Sequence, residues 1–232
     1  MLENLKEEVL AANRALEVSG LAALTWGNVS GIDREKGLIV IKPSGIPYLN
    51  LEPDSLVVVD RHGTVAEGSL KPSSDTKTHL ILYRAFESIG GITHTHSRYA
   101  TSFAQACRPL PCLGTTHADI FCGTVPVARP LTHKEIADDY ESSTGRIIAE
   151  HFREHGLDPA QMPAVLAAHH GPFTWGGTAA ESFKNALALE AVAEMAFATE
   201  LLNADASGIP AHYLKKHFER KHGPDAYYGQ EE

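Results

Sequence analysis

Thiols are scarce in this chain. Its three cysteines, Cys107, Cys112 and Cys122, are odd in number and nowhere spaced as CxxC, which excludes a fully paired disulfide framework and argues against a thiolate zinc site. Positive charge is short as well: 20 lysines and arginines face 29 aspartates and glutamates, for a formal charge of −9. A broad surface for nucleic acid or anionic lipid must be held by basic side chains against phosphate repulsion, so neither partner is expected. Long apolar runs are also missing. No window approaches the roughly 18 continuous apolar residues that span a bilayer. The opening Met1-Leu2-Glu3-Asn4-Leu5-Lys6-Glu7-Glu8 lacks the apolar stretch of a secretory signal. Together these absences predict a protein of the reducing cytoplasm.

A hydrophobic share of 43% over 232 residues is enough for one domain with a real core. Leu5, Val9, Ala12 and Leu16 lie at helical spacing, so an amphipathic helix leads. Leu38–Ile41 and Leu56–Val59 read as strands, the second turning at Arg61–Thr64 into a short Thr64–Ala66 strand. Ser73-Ser74-Asp75 offers caps for a helix through Ala85, and a strand follows over about 91–96. After a loop rich in Pro, Gly and Thr come a strand at Thr124–Val127 and a helix from the capping box Thr132-His133-Lys134-Glu135 to about Glu154. Val165–Ala168 reads as strand, and Glu181 to about Leu202 as an alanine-rich helix ended by Gly208-Ile209-Pro210. No repeat or linker divides the chain. The order predicts a single α/β domain, three layers α/β/α around a largely antiparallel sheet.

In Ile92-Thr93-His94-Thr95-His96 the histidines sit two apart in a predicted strand, so both imidazoles leave one face. That permits chelation. A third ligand could come from His169 or His170 at the end of the 165–168 strand, and spacing does not choose between them. Three neutral imidazoles leave a divalent ion with open positions for water or substrate oxygen, as catalysis requires. An HxH pair alone is equally compatible with polar packing.

Its company is what matters. Thr25-Trp26-Gly27-Asn28-Val29-Ser30-Gly31, Lys42-Pro43-Ser44-Gly45 and Lys71-Pro72-Ser73-Ser74-Asp75 are small and polar. Each could be an ordinary turn. Glycine, however, lets backbone N–H groups approach an oxyanion, Ser and Asn donate hydrogen bonds, and a helix starting after Ser74 aims its positive end at a phosphate. No Walker or GxGxxG motif points to a nucleotide.

These segments resemble the L-ribulose-5-phosphate 4-epimerases of the class II aldolase family. So do Gly114-Thr115-Thr116-His117-Ala118-Asp119, His169-His170-Gly171-Pro172-Phe173, Lys221-His222-Gly223 and Ala226-Tyr227-Tyr228-Gly229-Gln230, and the likeness runs through nearly the whole chain. The resemblance implies one class II aldolase-like domain over 1–232, with 210–232 forming a C-terminal active-site tail. It implies a zinc ion per subunit, replaceable by Mn2+ or Co2+, on His94, His96 and His170, with Asp75 on or beside it. Gly27, Asn28, Lys42, Ser44, Gly45, Ser73, Ser74, Thr115 and Thr116 would bind the sugar phosphate. Asp119 and Tyr228 would be the acid/base pair. The basic stretch Lys215–His222, an island in an acidic chain, itself points to His217 and Arg220 as substrate-binding helpers near the phosphate or the acid/base group. The family's C4 homotetramers place active sites between subunits, so Tyr228 would serve a neighbour's site.

The reaction so implied is interconversion of L-ribulose 5-phosphate and D-xylulose 5-phosphate, as in L-arabinose catabolism, through cleavage and re-formation of C3–C4. Direct deprotonation at C4 gains no resonance from the C2 carbonyl, whereas retro-aldol cleavage places the charge on an enediolate beside a Lewis acid. The competing readings are a sugar-phosphate aldolase and a non-catalytic, metal-stabilised assembly module. Related fuculose- and rhamnulose-phosphate aldolases carry a glutamate where this chain has Asp75.

Overall fold

Alternating side chains in short β-branched runs build the centre of the molecule, which a computed structural model describes over residues 2–228. In β2 (Leu38–Ile41) and β3 (Val57–Asp60), Ile39, Ile41, Val57 and Val59 join one buried cluster while Val40 and Val58 join another. A strand's period of two sends neighbours to opposite faces, so both faces of this sheet are covered. Helix α1 (Glu3–Val18) lies in the cluster with Val40 and Val58, and helices α2 (Thr76–Ala85) and α5 (His133–Glu154) lie in the other. Helix α6 (Ala179–Leu202) packs on α1 and across β1 (Gly27–Asp33), β5 (Gly91–Thr95) and β8 (Gly171–Gly176).

With β4 (Val65–Glu67), β6 (Val127–Ala128) and β7 (Ala164–Ala167), the sheet runs β4-β3-β2-β1-β5-β8-β7-β6. Among the described residues only β6 and β7 pair in parallel. This is the single three-layer α/β domain with a largely antiparallel sheet that the sequence predicts. Shorter helices α3 (Arg98–Gln105), α4 (Thr115–Ala118) and α7 (Ala211–His222) complete it, with α4 and α7 packed together. The last part of the expected 210–232 tail, including Gly229 and Gln230, lies outside the described residues.

Several elements differ from expectation. The polar segment at 25–31 is mostly the central strand β1, not a turn. Its small side chains conceal it, but buried Asn13 donates Nδ2 to Val29 O and accepts from Val29 N, both at 2.9 Å, and so ties α1 to the strand. Strand β8 is hidden in Gly-Pro-Phe-Thr-Trp-Gly, and α3 occupies part of the expected loop after His96. The strand expected at Thr124–Val127 shrinks to Val127–Ala128. Helix α5 is interrupted at Asp139, whose φ of −166° and ψ of 93° leave the helical region.

Candidate active site and metal centre

His94 lies on β5, and His96 just beyond its end stays on the same side. The Nδ1 of buried His94 meets the Pro172 carbonyl at 2.9 Å, and its Nε2 lies 3.2 Å from His96 Nε2. The turn joining β7 to β8 decides the third partner. His169 adopts a left-handed φ of 62° and turns toward Cys107, its Nε2 3.3 Å from the thiol sulfur. His170 turns the other way, its ring centroid 4.7 Å from that of His94 and 5.1 Å from that of His96. One ligand atom from each of His94, His96 and His170 lies within 4.8 Å of the others.

The electrostatics fit a cation. Burial, reinforced by His96, pushes the His94 pKa down to about 3. Burial and then the two neighbouring rings push His170 down, and burial lowers His96 although Asp75 opposes it. All three rings are therefore neutral at physiological pH, as metal ligation requires. The Pro172 carbonyl accepts a hydrogen bond from His94 Nδ1–H, which leaves the lone pair of the neutral ring on Nε2. Phe173 stacks on His94 at 4.1 Å and 15°, giving the triad an apolar backing.

Around the triad, Thr25, Trp26, Gly27, Asn28, Lys42, Pro43, Ser44, Gly45, Ser73, Ser74, Asp75, Tyr140 and Glu141 help to enclose a cavity of about 360 Å³. Gly27, at φ 122°, begins β1 so close to β5 that a Cβ there would stand 2.8 Å from His94 O. Backbone bonds from Ser44 N to Lys71 O and from Ser73 N to Lys42 O hold the two Lys-Pro-Ser loops side by side. Asp75 immediately precedes α2 without a side-chain cap bond to it, and its Oδ2 instead accepts from Asn28 Nδ2 at 2.7 Å. Asp75 is not part of the compact imidazole cluster but stands beside it on the cavity wall. The Oδ1 of buried Asn28 has no partner among the described residues.

Lys42 is 2% exposed. Its ammonium meets the Pro43 carbonyl at 3.3 Å and lies 5.0 Å above the ring of Tyr48, and no carboxylate among the described residues pairs with it. Burial pulls its pKa down to about 8. A buried cation without a counterion, facing a cavity rimmed by serines and glycine, is suited to an anion.

The remaining expected site residues lie apart. Asp119, closing α4, accepts from Arg220 Nε at 3.0 Å and Nη2 at 2.6 Å, and meets His217 Nδ1 at 2.9 Å. Tyr228 lies over Arg220 and the adjacent Lys221, its ring centroid 4.7 Å from the Arg220 guanidinium and 4.4 Å from the Lys221 ammonium. Burial raises the Asp119 pKa, but the bonds from Arg220 and His217 and the charge of Lys221 together hold it below the usual carboxylate value. Thr115 and Thr116 open α4, with Thr116 lining an apolar recess beside Pro111 and Val192. Within one chain, none of Thr115, Thr116, Asp119, His217, Arg220 and Tyr228 lines the imidazole cavity.

Sequence reasoning missed Tyr48 and Tyr140. Tyr48, fully buried, donates its hydroxyl to Gly27 O at 2.8 Å beneath the Lys42 ammonium. Tyr140 meets His170 and lines the cavity. Neither carries a motif, and the break that places Tyr140 interrupts no visible helical pattern.

Residues 7–197 match the Class II Aldolase and Adducin N-terminal domain, and the chain belongs to this family. Among solved structures it is similar to an L-fuculose 1-phosphate aldolase, at 28% identity over 94% of this chain and 95% of the other, with a TM-score of 0.79. It is also similar to YgbL of Klebsiella pneumoniae, provisionally described as an aldolase/epimerase/decarboxylase, at 26% identity over 92% and 97% with a TM-score of 0.70. The L-fuculose-1-phosphate aldolase of Thermus thermophilus matches at 25% identity over 88% and 100%, with a TM-score of 0.70. No helix among the described residues is long and apolar enough to cross a membrane.

Proposed function

We propose that the chain is a divalent-metal-dependent L-ribulose-5-phosphate 4-epimerase, with zinc on His94, His96 and His170 and a C4 tetramer completing each site. The observation that carries this reading is the single cavity joining a neutral imidazole triad to the unpaired Lys42 ammonium. Asp75, tied to Asn28 beside the triad, favours epimerase over aldolase, because related aldolases have a glutamate at that position.

Held by His94, His96 and His170, the cation would supply Lewis-acid stabilisation of the negative charge that cleavage places on the substrate's C2 oxygen. Lys42, Ser44, Gly45, Ser73 and Ser74 hold the phosphate, with Gly27 of the same chain and Thr115 and Thr116 of the adjoining subunit lining the substrate's path. One acid/base group removes the C4 hydroxyl proton as the C3–C4 bond breaks and its electron pair moves toward C3 and the C2 oxygen. The phosphate grip retains glycolaldehyde phosphate while it rotates. Addition of C3 to the other face re-forms the bond, and a second group protonates the new C4 alkoxide. Asp119 and Tyr228 fill these two roles from the adjoining subunit, with His217 and Arg220 setting their charge and position. The residues 210–232 thus act as a tail for a neighbour's site.

A coupled assay for D-xylulose 5-phosphate formed from L-ribulose 5-phosphate tests the reading, with chelator and His96→Asn as controls that should abolish turnover. Solvent deuterium should not enter C4, since its C–H bond is never broken. The similarity to fuculose-phosphate aldolases supports a second reading, net aldol cleavage of another ketose phosphate. Free aldehyde released faster than epimer forms would replace the first reading by the second.

A further inference from the structure

Metal-binding imidazoles are commonly oriented by an acceptor on their outer ring nitrogen, which fixes the tautomer and the plane of the ring. His94 has a backbone acceptor in Pro172 O. His170 has a side chain: its Nδ1 lies 3.3 Å from the phenolic oxygen of Tyr140.

Tyr140 reaches that place because α5 is broken immediately before it. Asp139 leaves the helical conformation, and its carboxylate accepts from Ser142 N at 3.3 Å and Ser142 Oγ at 2.9 Å, capping a new helical segment that starts with Tyr140. The same carboxylate pairs with Lys77 on α2 at 3.0 Å. Thr78 of α2 donates its hydroxyl to Glu141 O at 2.6 Å, and Gly145 allows the close approach, since a Cβ there would stand 2.9 Å from Ile81 Cβ. The phenol is therefore anchored to the helix that carries Asp75.

We infer that Tyr140 is a positioning residue of the metal centre, accepting a hydrogen bond from His170 Nδ1–H so that Nε2 faces the cation. The inference rests on the metal-centre reading above. It makes the α5 break a functional feature, because a continuous helix would not carry this side chain to the same point.

Tyr140→Phe deletes the acceptor and keeps the ring. Zinc affinity, measured by competition with a chromophoric chelator, should fall about 10- to 100-fold. The visible absorption of the cobalt-substituted protein should change, while the melting temperature of the metal-free protein stays at the wild-type value. A Tyr140→Phe protein with wild-type zinc affinity and an unchanged cobalt spectrum overturns the inference. A lower metal-free melting temperature with unchanged affinity overturns it too, leaving only a packing role. Failure of the wild-type protein itself to bind zinc or cobalt sinks the metal-centre reading, a result readily told apart from the first two.

Discussion

Arg220 grips Asp119 with two nitrogens, Nε on Oδ1 and Nη2 on Oδ2, across 101 positions of sequence. This two-pronged pair fastens α7 to the end of α4 and thereby sets where Tyr228 begins. Guanidinium and carboxylate match in geometry, so the contact orients as well as attracts.

The pair should be lost in acid. Asp119's folded pKa lies below its ordinary value of 3.8, so its contribution is present above that value and disappears as pH falls through the lower folded value. Hydrogen exchange over 211–228 should accelerate in that window while the sheet stays protected. Asp119→Asn should give the same local exchange pattern at neutral pH.

Separation of the two clusters within one chain predicts complementation between subunits. His96→Asn and Tyr228→Phe proteins should each be nearly inactive. Reassembled together at equal amounts as random tetramers, they should recover about one quarter of the wild-type rate, the chance that an interface joins an intact triad to an intact tyrosine. No recovery would mean that triad and tail act within one chain.

Lys42 should make activity and stability diverge in alkali. Its pKa is lowered from 10.5 to about 8, so the penalty for burying its charge is complete below about 8 and gone above 10.5. Inhibition by inorganic phosphate should therefore weaken above pH 8, by up to about tenfold per pH unit, just where this lysine's burden on the fold is relieved. Lys42→Met should flatten the phosphate profile.

How much of this could be read beforehand depended on where chain direction is decided. His94 and His96 were legible because strand alternation alone puts them together. The choice between His169 and His170 was legible only through the family resemblance and not from spacing, because a left-handed turn residue rather than strand parity sends the two rings apart. Strand β1 escaped notice for a similar reason: its glycines, asparagine and serine show no apolar alternation, and its burial comes from α1, Tyr83 and His79, whose contacts to it are long-range. Tyr140 could not be found at all from periodicity, since the interruption at Asp139 arises from a cap and an ion pair to α2.

Gly145→Ala should test that α2 contact. The added methyl would overlap Ile81, and overpacking of this kind typically costs about 1 to 3 kcal/mol. At roughly 2 to 4 °C per kcal/mol for a chain of this size, the melting temperature should fall by several degrees, with zinc affinity declining as Tyr140 shifts.

The broken α5 gives the cavity rim two helix beginnings, one after Asp75 and one after Asp139. Each helix start carries a partial positive charge of about half a unit that fades within a turn, offsetting part of the charge of the aspartate that heads it, and Lys42 adds a positive charge inside the cavity. The molecule as a whole carries −9. A phosphate ester is therefore repelled at long range and welcomed only once inside, so added salt, by screening the outer field within a Debye length of about 8 Å at physiological strength, should quicken substrate capture.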